Sequence, residues 1–295
     1  MKILIADDDS VSLLYLQDAL QDWGYEVVTT TDGATACNIL LQADGPLLAI
    51  VDWMMPGMEG TEICREIRKR VNDRYIYLII LTLKTETEFI VEAMNSGADD
   101  FISKPFHDEE LKVRVRAGRR ICELEQELRT KATRDTLTGL YNRGAILEIF
   151  EKELMRNARS NQSLSIIFAD LDHFKRTNDD YGHLAGDAVL REVARRINLV
   201  IRPYDSSGRY GGEELIVVLP ACDSAAALEV AERIRACIAN DPIATSYGAI
   251  STSLSIGVVS AIGSLPCVID ELIRRADIAL YKAKDNGRNR VELAV

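Results

Sequence analysis

Short apolar runs alternate with amphipathic segments through the first third of the chain. The runs are KILIA, EVVTT, LLAIVD, YIYLIILT and DDFISK, and segments such as Ser10 to Trp23 and Gly60 to Arg70 place apolar residues at helical spacing. This alternation predicts an α/β fold in which helices cover both faces of a parallel sheet. Ligands of such sheets bind beyond the carboxyl ends of the strands, so we expect a site there.

The chain contains no proline from His107 to about Arg134, and residues that favour helices dominate this segment. Its apolar residues follow one another at spacings of 4, 3 and 4, the seam of a short coiled coil: Ala117, Ile121, Leu124 and Leu128. We expect a helical coiled-coil linker over residues 107–134 that pairs with a second copy and spans roughly 40 Å. An amphipathic helix packed on its own domain is the alternative. Gly118 weakens a helix by roughly 1 kcal/mol relative to alanine and is a candidate joint.

The second half of the chain is predicted to mix strands and helices. A strand from Leu164 to Ala169 ends at Asp170, and a loop and then a helix from about Gly186 follow. A second strand, LIVVLP, comes after the turn RYGGEEL (Arg209 to Leu215). Gly-Gly between two strand-like runs favours a two-residue hairpin turn, because glycine takes positive φ at both central positions. The tip of this hairpin can therefore lie beside Asp170.

Length and charge narrow the choice of function. At 295 residues the chain suits two domains, and its 47% apolar and 27% charged residues are those of ordinary globular proteins. The net charge of −11 argues against broad nucleic-acid binding, which needs a basic surface. Any phosphate ligand must then be met by a few local cations or metal ions.

No segment is predicted to enter a membrane. The beginning, MKILIADDD, has too few consecutive apolar residues for a signal peptide. The longest apolar run, Tyr75 to Leu81, falls short of the roughly 18 residues that a membrane span needs. The six cysteines show no metal-binding spacing and are interpreted as reduced core residues. We therefore expect a cytoplasmic protein.

Acidic residues follow the predicted strands of the first half at the edge where ligands bind. Asp7, Asp8 and Asp9 follow the first apolar run, and Asp52 ends the third. Carboxylates crowded at one edge repel one another unless a hard cation neutralises them, and Mg²⁺ accepts carboxylates, waters and phosphate oxygens. The pattern predicts a site for one magnesium ion and a phosphoryl group. Acids that merely cap helices are the alternative.

Residues 1–120 resemble the receiver domain of two-component response regulators, through the order and spacing of Asp7, Asp8, Asp52, Thr82, Phe101 and Lys104-Pro105. The resemblance implies a flavodoxin-like doubly wound parallel sheet and a sensor histidine kinase as phosphodonor. It implies phosphorylation at Asp52, with Asp7, Asp8, Asp52 itself and the carbonyl of Met54 on Mg²⁺. It also implies that Thr82 and Lys104 contact the phosphoryl oxygens and that Phe101 is the aromatic switch residue.

The predicted hairpin gathers Asp170, Glu213 and Glu214 around one point, an arrangement that suits two Mg²⁺ ions in phosphoryl transfer. Residues 135–295 resemble the GGDEF-domain diguanylate cyclases, in the variant form GGEEL. The opening segment DTLTGLYNR and the closing segment LYKAKDNGRNR are similar to motifs of that family as well. The resemblance implies an α+β palm-like nucleotidyl cyclase domain, and a hairpin without a role in catalysis is the alternative.

The same resemblance implies roles for individual residues. Asp170, the carbonyl of Leu171 and Glu213 would hold Mg²⁺, with Glu214 as a further ligand and Glu213 as the usual candidate for general base. Substrate binding would fall to Asn178 and Asp187 for guanine, Phe174 and Lys175 on the phosphate side, and Lys284 and Arg288 for the β and γ phosphates. Leu215 replaces the family's phenylalanine and is expected to pack inward.

An Arg-x-x-Asp spacing, from Arg202 to Asp205, precedes the signature. In this family the spacing forms an inhibitory site for the product, where arginine binds phosphate or guanine and aspartate accepts from guanine. Arg156 is expected to add a second arm. A surface salt bridge after a helix is the alternative.

Together the two resemblances predict a phosphorylation-regulated diguanylate cyclase that condenses two GTP into cyclic di-GMP and releases two pyrophosphates. Each protomer would hold one GTP, so the reaction would need a homodimer. Two alternatives stay open: a non-catalytic cyclic di-GMP receptor and a nucleotide cyclase of different specificity. A transcription factor is disfavoured because no helix-turn-helix pattern follows the receiver.

Overall fold

The computed structural model describes residues 1–70, 74–83, 86–160, 162–262 and 268–294. The chain divides into two compact units, residues 1–130 and 131–295. Within the described ranges, no helix combines the length and the apolar character that crossing a bilayer requires. Cys267 lies outside the described residues. The other cysteines are free thiols, of which four are buried: Cys37, Cys64, Cys122 and Cys222.

Five parallel strands form the sheet of the first unit, in the order β2-β1-β3-β4-β5. The strands are β1 (Lys2–Ala6), β2 (Glu26–Thr30), β3 (Leu48–Asp52), β4 (Tyr77–Thr82) and β5 (Asp100–Ser103). The helices are α1 (Ser10–Asp22), α2 (Gly33–Leu41), α3 (Gly60–Lys69), α4 (Thr87–Asn95) and α5 (Asp108–Thr133). Alternate residues of β1 pack on opposite faces, Ile3 and Ile5 with α1 and α5, and Leu4 and Ala6 with α2 and α3. The predicted doubly wound parallel sheet is confirmed.

Helix α5 buries one stripe of residues and exposes another. The buried stripe consists of Leu111, Val115, Gly118 and Cys122. The exposed stripe consists of the predicted coiled-coil residues, Ala117, Ile121, Leu124 and Leu128. Gly118 lies inside the helix and not at a joint: a Cβ at this position would lie 2.6 Å from the ring of Tyr77 and 2.9 Å from Leu48. Glycine is therefore needed here for close packing of the helix on the sheet.

The second unit is an α+β domain with a five-stranded sheet in the order β12-β11-β6-β8-β7. The strands are β6 (Ser163–Leu171), β7 (Ser206–Gly211), β8 (Glu214–Pro220), β9 (Ile243–Thr245), β10 (Gly248–Ile250), β11 (Leu254–Ile262) and β12 (Val291–Leu293), with β9 and β10 forming a separate hairpin. The helices are α6 (Arg143–Ser160), α7 (Phe174–Tyr181), α8 (His183–Val200), α9 (Ser224–Ala239) and α10 (Ile269–Asp285). Helices α8 and α9 cover one face, and α6 and α10 cover the other.

Two local predictions for the second unit were wrong. The segment after Asp170 is not a loop as far as Gly186, because α7 forms there and α8 begins at His183. The hairpin turn consists of Gly212 and Glu213 and not of two glycines, since Gly211 is already paired with Glu214. A register shift after Arg209 displaces the turn by one residue, so that Gly212 takes the positive φ of 49°.

Candidate functional site

The first candidate site lies at the carboxyl ends of three parallel strands. Asp7 follows β1, Asp52 ends β3, and Lys104 follows β5. The ammonium of Lys104 lies 2.7 Å from Asp7 Oδ2 and 2.7 Å from Asp52 Oδ2. Asp7 is fully buried and also accepts a hydrogen bond from the hydroxyl of Ser12 at 2.6 Å. The fold thus brings two carboxylates and one ammonium into direct contact.

The two carboxylates respond differently to this environment. Burial alone raises the pKa of Asp7, but hydrogen bonds from Lys104 and Ser12 more than offset burial and leave that pKa lowered. The pKa of Asp52 is raised, because burial and the nearby charge of Asp7 outweigh the effect of Lys104. One lysine therefore does not fully neutralise the pair, and a further cation would be favourable here.

A third carboxylate completes a set that suits a hard cation. One oxygen each from Asp7, Asp8 and Asp52 lie within 4.8 Å of one another. Closely spaced carboxylate oxygens fit Mg²⁺, which prefers such ligands together with waters. Met54, the predicted carbonyl ligand, is 57% exposed two residues after Asp52. Asp9 has a different role, because its carboxylate caps α1 by accepting from two backbone N–H groups of the first turn.

The predicted switch residues lie on the two neighbouring strands. Thr82 ends β4 and is buried, and its backbone carbonyl accepts from the N–H of Lys104 at 2.7 Å. Phe101 is half-buried in β5, and the guanidinium of Arg114 on α5 lies 5.7 Å from its ring centroid. Thr82 is thus next to the Lys104 backbone, whereas Phe101 lies beside α5.

The second candidate site lies where β6 meets the tip of the β7–β8 hairpin. Asp170 of β6 is the ladder partner of Glu214 in β8, and Glu213 stands in the adjoining turn. Asp170 is buried, and the ammonium of Lys284 on α10 lies 2.9 Å from its Oδ1. Leu171 is buried and pairs with β11. The hairpin tip, the carboxylate and the lysine therefore meet at one point.

The carboxylates at this point repel one another. Burial raises the pKa of Asp170, and the charges of Glu213 and Asp172 add to that effect against the opposing effect of Lys284. Burial also raises the pKa of Glu214, with a contribution from Asp170. Such a group fits a bound cation. Among the described residues, however, three carboxylates close enough to share one metal ion occur in the first unit. In the second unit Asp170 is paired directly with Lys284.

An ion pair fixes the hairpin to the opening motif of the domain. Nη1 of Arg209 lies 3.2 Å from each carboxylate oxygen of Asp135, and its Nε donates to the carbonyl of Gly212 at 2.8 Å. Asp135 also accepts from the N–H and the hydroxyl of Thr138. Both charged residues belong to motifs visible in the sequence, but only the fold reveals that they are partners.

The predicted guanine ligands lie on the two helices that follow β6. Asn178 is half-buried on α7, and Asp187 is half-buried on α8. Gly186 makes room for the Asn178 amide, since a Cβ at Gly186 would collide with Asn178 Oδ1 and lie 3.1 Å from the Phe174 ring. Phe174 is buried and Lys175 is exposed. The packing of α7 on α8 therefore brings the Asn178 amide beside the residue that precedes Asp187.

Arg288, the second predicted phosphate ligand, is exposed in a turn after α10. This turn contains two consecutive residues with positive φ, 64° at Arg288 and 46° at Asn289. The N–H of Asn289 donates to the buried carboxylate of Asp172 at 3.0 Å. Asp172 was not predicted as a site residue. Its signal in the sequence is an acid two positions after Asp170, which does not by itself indicate a partner.

Arg202 and Asp205 meet through the backbone. Asp205 Oδ2 accepts from the N–H of Arg202 at 2.9 Å. The Arg202 guanidinium instead donates to the hydroxyl of Tyr204 at 3.0 Å and lies 5.8 Å from its ring centroid. Burial raises the pKa of Asp205 despite this hydrogen bond. Tyr204, which was not predicted, therefore orients the guanidinium.

Arg156 lies on a cavity that adjoins the same segment. The cavity has a volume of about 360 Å³, and Tyr204 and Arg156 both line it. Arg156 is exposed and lies 3.7 Å from Glu153 one turn earlier in α6. The fold thus places Arg156 on the same cavity as the tyrosine that holds Arg202.

Family models match both units of the chain. A model described as the response regulator receiver domain matches residues 3–116, and one described as the diguanylate cyclase GGDEF domain matches residues 132–290. The chain is 32% identical over 261 residues to the response regulator PleD of Caulobacter vibrioides, which covers 85% of this chain and 57% of PleD. The chain thus spans just over half the length of that relative.

Two further comparisons concern most of the chain and its second unit. The chain is 32% identical over 281 residues to diguanylate cyclase A of Treponema denticola, covering 92% of this chain and 74% of that protein. It resembles the crystal structure of the coiled coil and GGDEF domain of DgcB from Caulobacter crescentus in complex with c-di-GMP, with a TM-score of 0.58 and 29% identity over 63% of this chain and 98% of that one. The chain therefore belongs to the GGDEF-domain family of diguanylate cyclases and carries a response regulator receiver domain ahead of that domain.

Proposed function

We propose that this chain condenses two GTP molecules into cyclic di-GMP, releases two pyrophosphates, and does so under the control of its receiver domain. The observation that carries the proposal is the contact between Lys284 and Asp170 beside the GGEEL turn. It joins a cation suited to phosphate and a carboxylate suited to a metal ion at the end of one strand. The likeness to diguanylate cyclase A, which covers 92% of this chain and 74% of that protein, supports the same reaction.

The residues around β6 would divide the work of phosphoryl transfer. Asp170, the carbonyl of Leu171 and Glu213 would hold two Mg²⁺ ions with support from Glu214, and these ions supply the positive charge that stabilises the attacking and leaving oxygens. Lys284 would bind the β and γ phosphates. Glu213 is the candidate for general base, because it is the carboxylate in the turn itself.

Substrate selection rests on α7, α8 and the turn after α10. The Asn178 amide and the Asp187 carboxylate would bind the amide and amine edge of guanine, since together they offer an acceptor and a donor. Phe174 and Lys175 would line the phosphate side, and Arg288 would bind the terminal phosphates. The packing of Asn178 against Gly186 supports this assignment, because it brings the amide close to α8.

The reaction needs two GTP sites that face each other, so the active species is proposed to be a homodimer. The exposed apolar stripe of α5, formed by Ala117, Ile121, Leu124 and Leu128, is the proposed coiled-coil seam. A coiled coil over residues 107–134 would join the receiver, residues 1–120, to the cyclase domain, residues 135–295.

The receiver would set the activity of this dimer. A sensor histidine kinase would phosphorylate Asp52, with one Mg²⁺ held by Asp7, Asp8, Asp52 and the Met54 carbonyl. Lys104 already contacts Asp52 and would bind the phosphoryl oxygens together with Thr82. Phe101 would then change position next to α5, which carries the coiled-coil seam.

Product would inhibit the enzyme at a second site formed by Arg202 and Asp205. The guanidinium offers two parallel donors for phosphate or guanine, and the carboxylate accepts from guanine. Arg156 would add a second arm, a role that its place on the cavity beside Tyr204 supports.

The reaction is tested by incubating purified protein with Mg²⁺ and GTP or ATP and identifying the products by mass. We expect cyclic di-GMP and pyrophosphate from GTP alone. Glu213→Gln should abolish the product, whereas Glu229→Gln, an exposed glutamate on α9, should not. A cyclic product from ATP would favour a cyclase of different specificity. No turnover, together with tight binding of cyclic di-GMP, would favour a receptor and reject the enzyme.

A further inference from the structure

Asp172 joins three separate segments at the end of β6. The carboxylate is 6% exposed and accepts three hydrogen bonds, from Ser253 Oγ at 2.6 Å, Ser255 Oγ at 2.6 Å and the N–H of Asn289 at 3.0 Å. Its own N–H donates to the carbonyl of Ser253 at 2.9 Å. A buried carboxylate is costly unless it is fully hydrogen-bonded, so this position is specified by the residues around it.

The segment held by the third of these hydrogen bonds is the turn Arg288–Asn289. Two consecutive non-glycine residues with positive φ are unfavourable, and such conformations persist where neighbouring groups fix them. Asn289 is fixed from both sides: its N–H binds Asp172, and its Oδ1 accepts from Nη1 of Arg235 on α9 at 2.7 Å. The exposed Arg288 side chain leaves the backbone from within this fixed turn.

We infer that Asp172 is a positioning residue that holds the Arg288 turn in place for binding the terminal phosphates of GTP. The inference rests on the proposed function and extends it, because Asp172 is not among the residues proposed to touch substrate or metal. Asp172 lies two residues after Asp170, so the strand end that carries the metal ligand also fixes the turn that carries Arg288. Loss of Asp172 should release the turn and leave Asp170 in the sheet.

The consequence is specific to the triphosphate. Without the acceptor at position 172, the N–H of Asn289 loses its partner and the unfavourable turn relaxes. The Arg288 side chain is then no longer held in its binding position. Guanine recognition by α7 and α8 does not depend on this turn. Asp172→Ala, which removes the acceptor, should therefore weaken binding of the triphosphate and raise KM more than it lowers kcat.

The test is a double-mutant cycle on nucleotide affinity in the full-length protein. Calorimetry with Mg²⁺ and the α,β-methylene analogue of GTP is carried out on wild type, Asp172→Ala, Arg288→Ala and the double variant. We expect Asp172→Ala to raise the Kd about 10-fold in the wild-type background and less than about 2-fold in the Arg288→Ala background. Asp223→Ala, which removes the side chain that caps the start of α9, is the matched control and should leave the Kd unchanged.

Equal losses in both backgrounds, or no loss in either, would overturn the inference, because Asp172 would then act without Arg288. If Asp172→Ala fails to fold, the pair of changes Ser253→Ala and Ser255→Ala removes two donors and leaves the carboxylate. The same cycle should then show a smaller loss of affinity, about 3-fold. An equal loss of affinity in the wild-type and Arg288→Ala backgrounds would again reject the inference. Failure of the wild type to bind the analogue would instead reject the proposed function.

Discussion

Two lysines hold corresponding places in the two units, each with its ammonium against a buried aspartate at the end of a strand. Lys104 contacts Asp7 and Asp52, and Lys284 contacts Asp170. In both cases the aspartate that lies nearest the proposed chemistry has a raised pKa despite the lysine, because burial and neighbouring carboxylates prevail. Both sites are therefore suited to accept further positive charge with a phosphate ligand.

Asp52→Asn should abolish phosphorylation of the receiver. The amide is a poor nucleophile, and the change removes one of three clustered carboxylates. Incubation with acetyl phosphate and Mg²⁺, followed by intact-protein mass spectrometry, should show added phosphate in wild type and none in the variant. Asp9→Asn, which keeps a helix cap outside the cluster, is the control and should still be labelled. Labelling of Asp52→Asn would contradict the assignment.

Arg202→Ala should relieve product inhibition. The guanidinium is exposed and held by Tyr204, so its loss removes charged hydrogen bonds to the product and little from the fold. Loss of such bonds should raise the concentration of cyclic di-GMP that halves turnover by about 10-fold or more. Initial rates at increasing added product measure this concentration. Arg191→Ala, an exposed arginine on α8, should leave it unchanged, and an unchanged value for Arg202→Ala would refute the site.

Sequence alone predicts the positions and contacts of some of these side chains and not those of others. Acids at the ends of parallel strands can be predicted, because strand ends of such a sheet meet at one edge. The contact of Lys284 with Asp170 and the hydrogen bond from Asn289 to Asp172 join distant segments through side-chain direction, which no local pattern encodes. Tyr204 shows the same limit, since the Arg-x-x-Asp spacing does not indicate that the Arg202 guanidinium donates to the Tyr204 hydroxyl.

The β7–β8 hairpin depends on an anchor outside itself. Arg209 connects the carbonyl of Gly212 in the turn to Asp135 before α6. Both charged side chains are 20% exposed, so water screens the pair only in part. Burial alone raises the pKa of Asp135, but hydrogen bonds from Thr138 and the charge of Arg209 leave that pKa below its ordinary value. The anchor therefore stabilises the ionised form of the aspartate.

Asp135→Asn should reduce stability in a pH-dependent way. A lowered pKa in the folded state contributes stability that is present above the unfolded value near 3.8 and lost as the pH falls through the folded value. At pH 7 the variant should lose about 1 to 2 kcal/mol of unfolding free energy, and at pH below the folded pKa the difference should vanish. Urea unfolding of the wild type and the variant across this pH range measures the difference in unfolding free energy. A difference independent of pH would exclude the charge as its source.

The helices α7 and α8 show why element boundaries in this domain escaped prediction. Polar residues dominate the segment from Lys175 to Asp180, so it has the composition of a loop, yet Phe174 and Thr177 anchor α7 on the core. Gly182, with φ of 84°, then separates two helices where a single start near Gly186 was expected. Tertiary packing of two side chains thus overrides the local composition.

Replacing the proposed seam of α5 should dissociate the proposed dimer. Leu124 and Leu128 are 48% and 62% exposed, and glutamate at both positions would place unpaired charges in the proposed interface. Sedimentation equilibrium should show a dimer dissociation constant raised at least about 10-fold, with cyclase activity falling in parallel. Gln126→Glu adds one charge outside the seam and should change neither. A dimer of unchanged strength in the leucine variant would place the interface elsewhere.

For the chain as a whole, the order of its parts was predictable because each unit carries its own motifs. The receiver domain was predicted from residues at its strand ends, and the cyclase domain was predicted from three segments spread over its length. Family models match both domains. The proposed coupling between the units would run through helix α5. Its exposed stripe is visible in the sequence, whereas the close packing of Gly118 on Tyr77 is not. Regulation by the receiver predicts that the rate of the cyclase reaction responds to the state of Asp52, which can be tested directly.

That test is the rate of cyclic di-GMP formation from Mg²⁺ and GTP by the purified full-length protein, with and without beryllofluoride as a mimic of the phosphoryl group on Asp52. We expect cyclic di-GMP in both conditions and a higher rate with the mimic, and Asp52→Asn should remove the increase. A rate that ignores beryllofluoride would contradict regulation by the receiver, and the absence of cyclic di-GMP in either condition would contradict the enzyme itself.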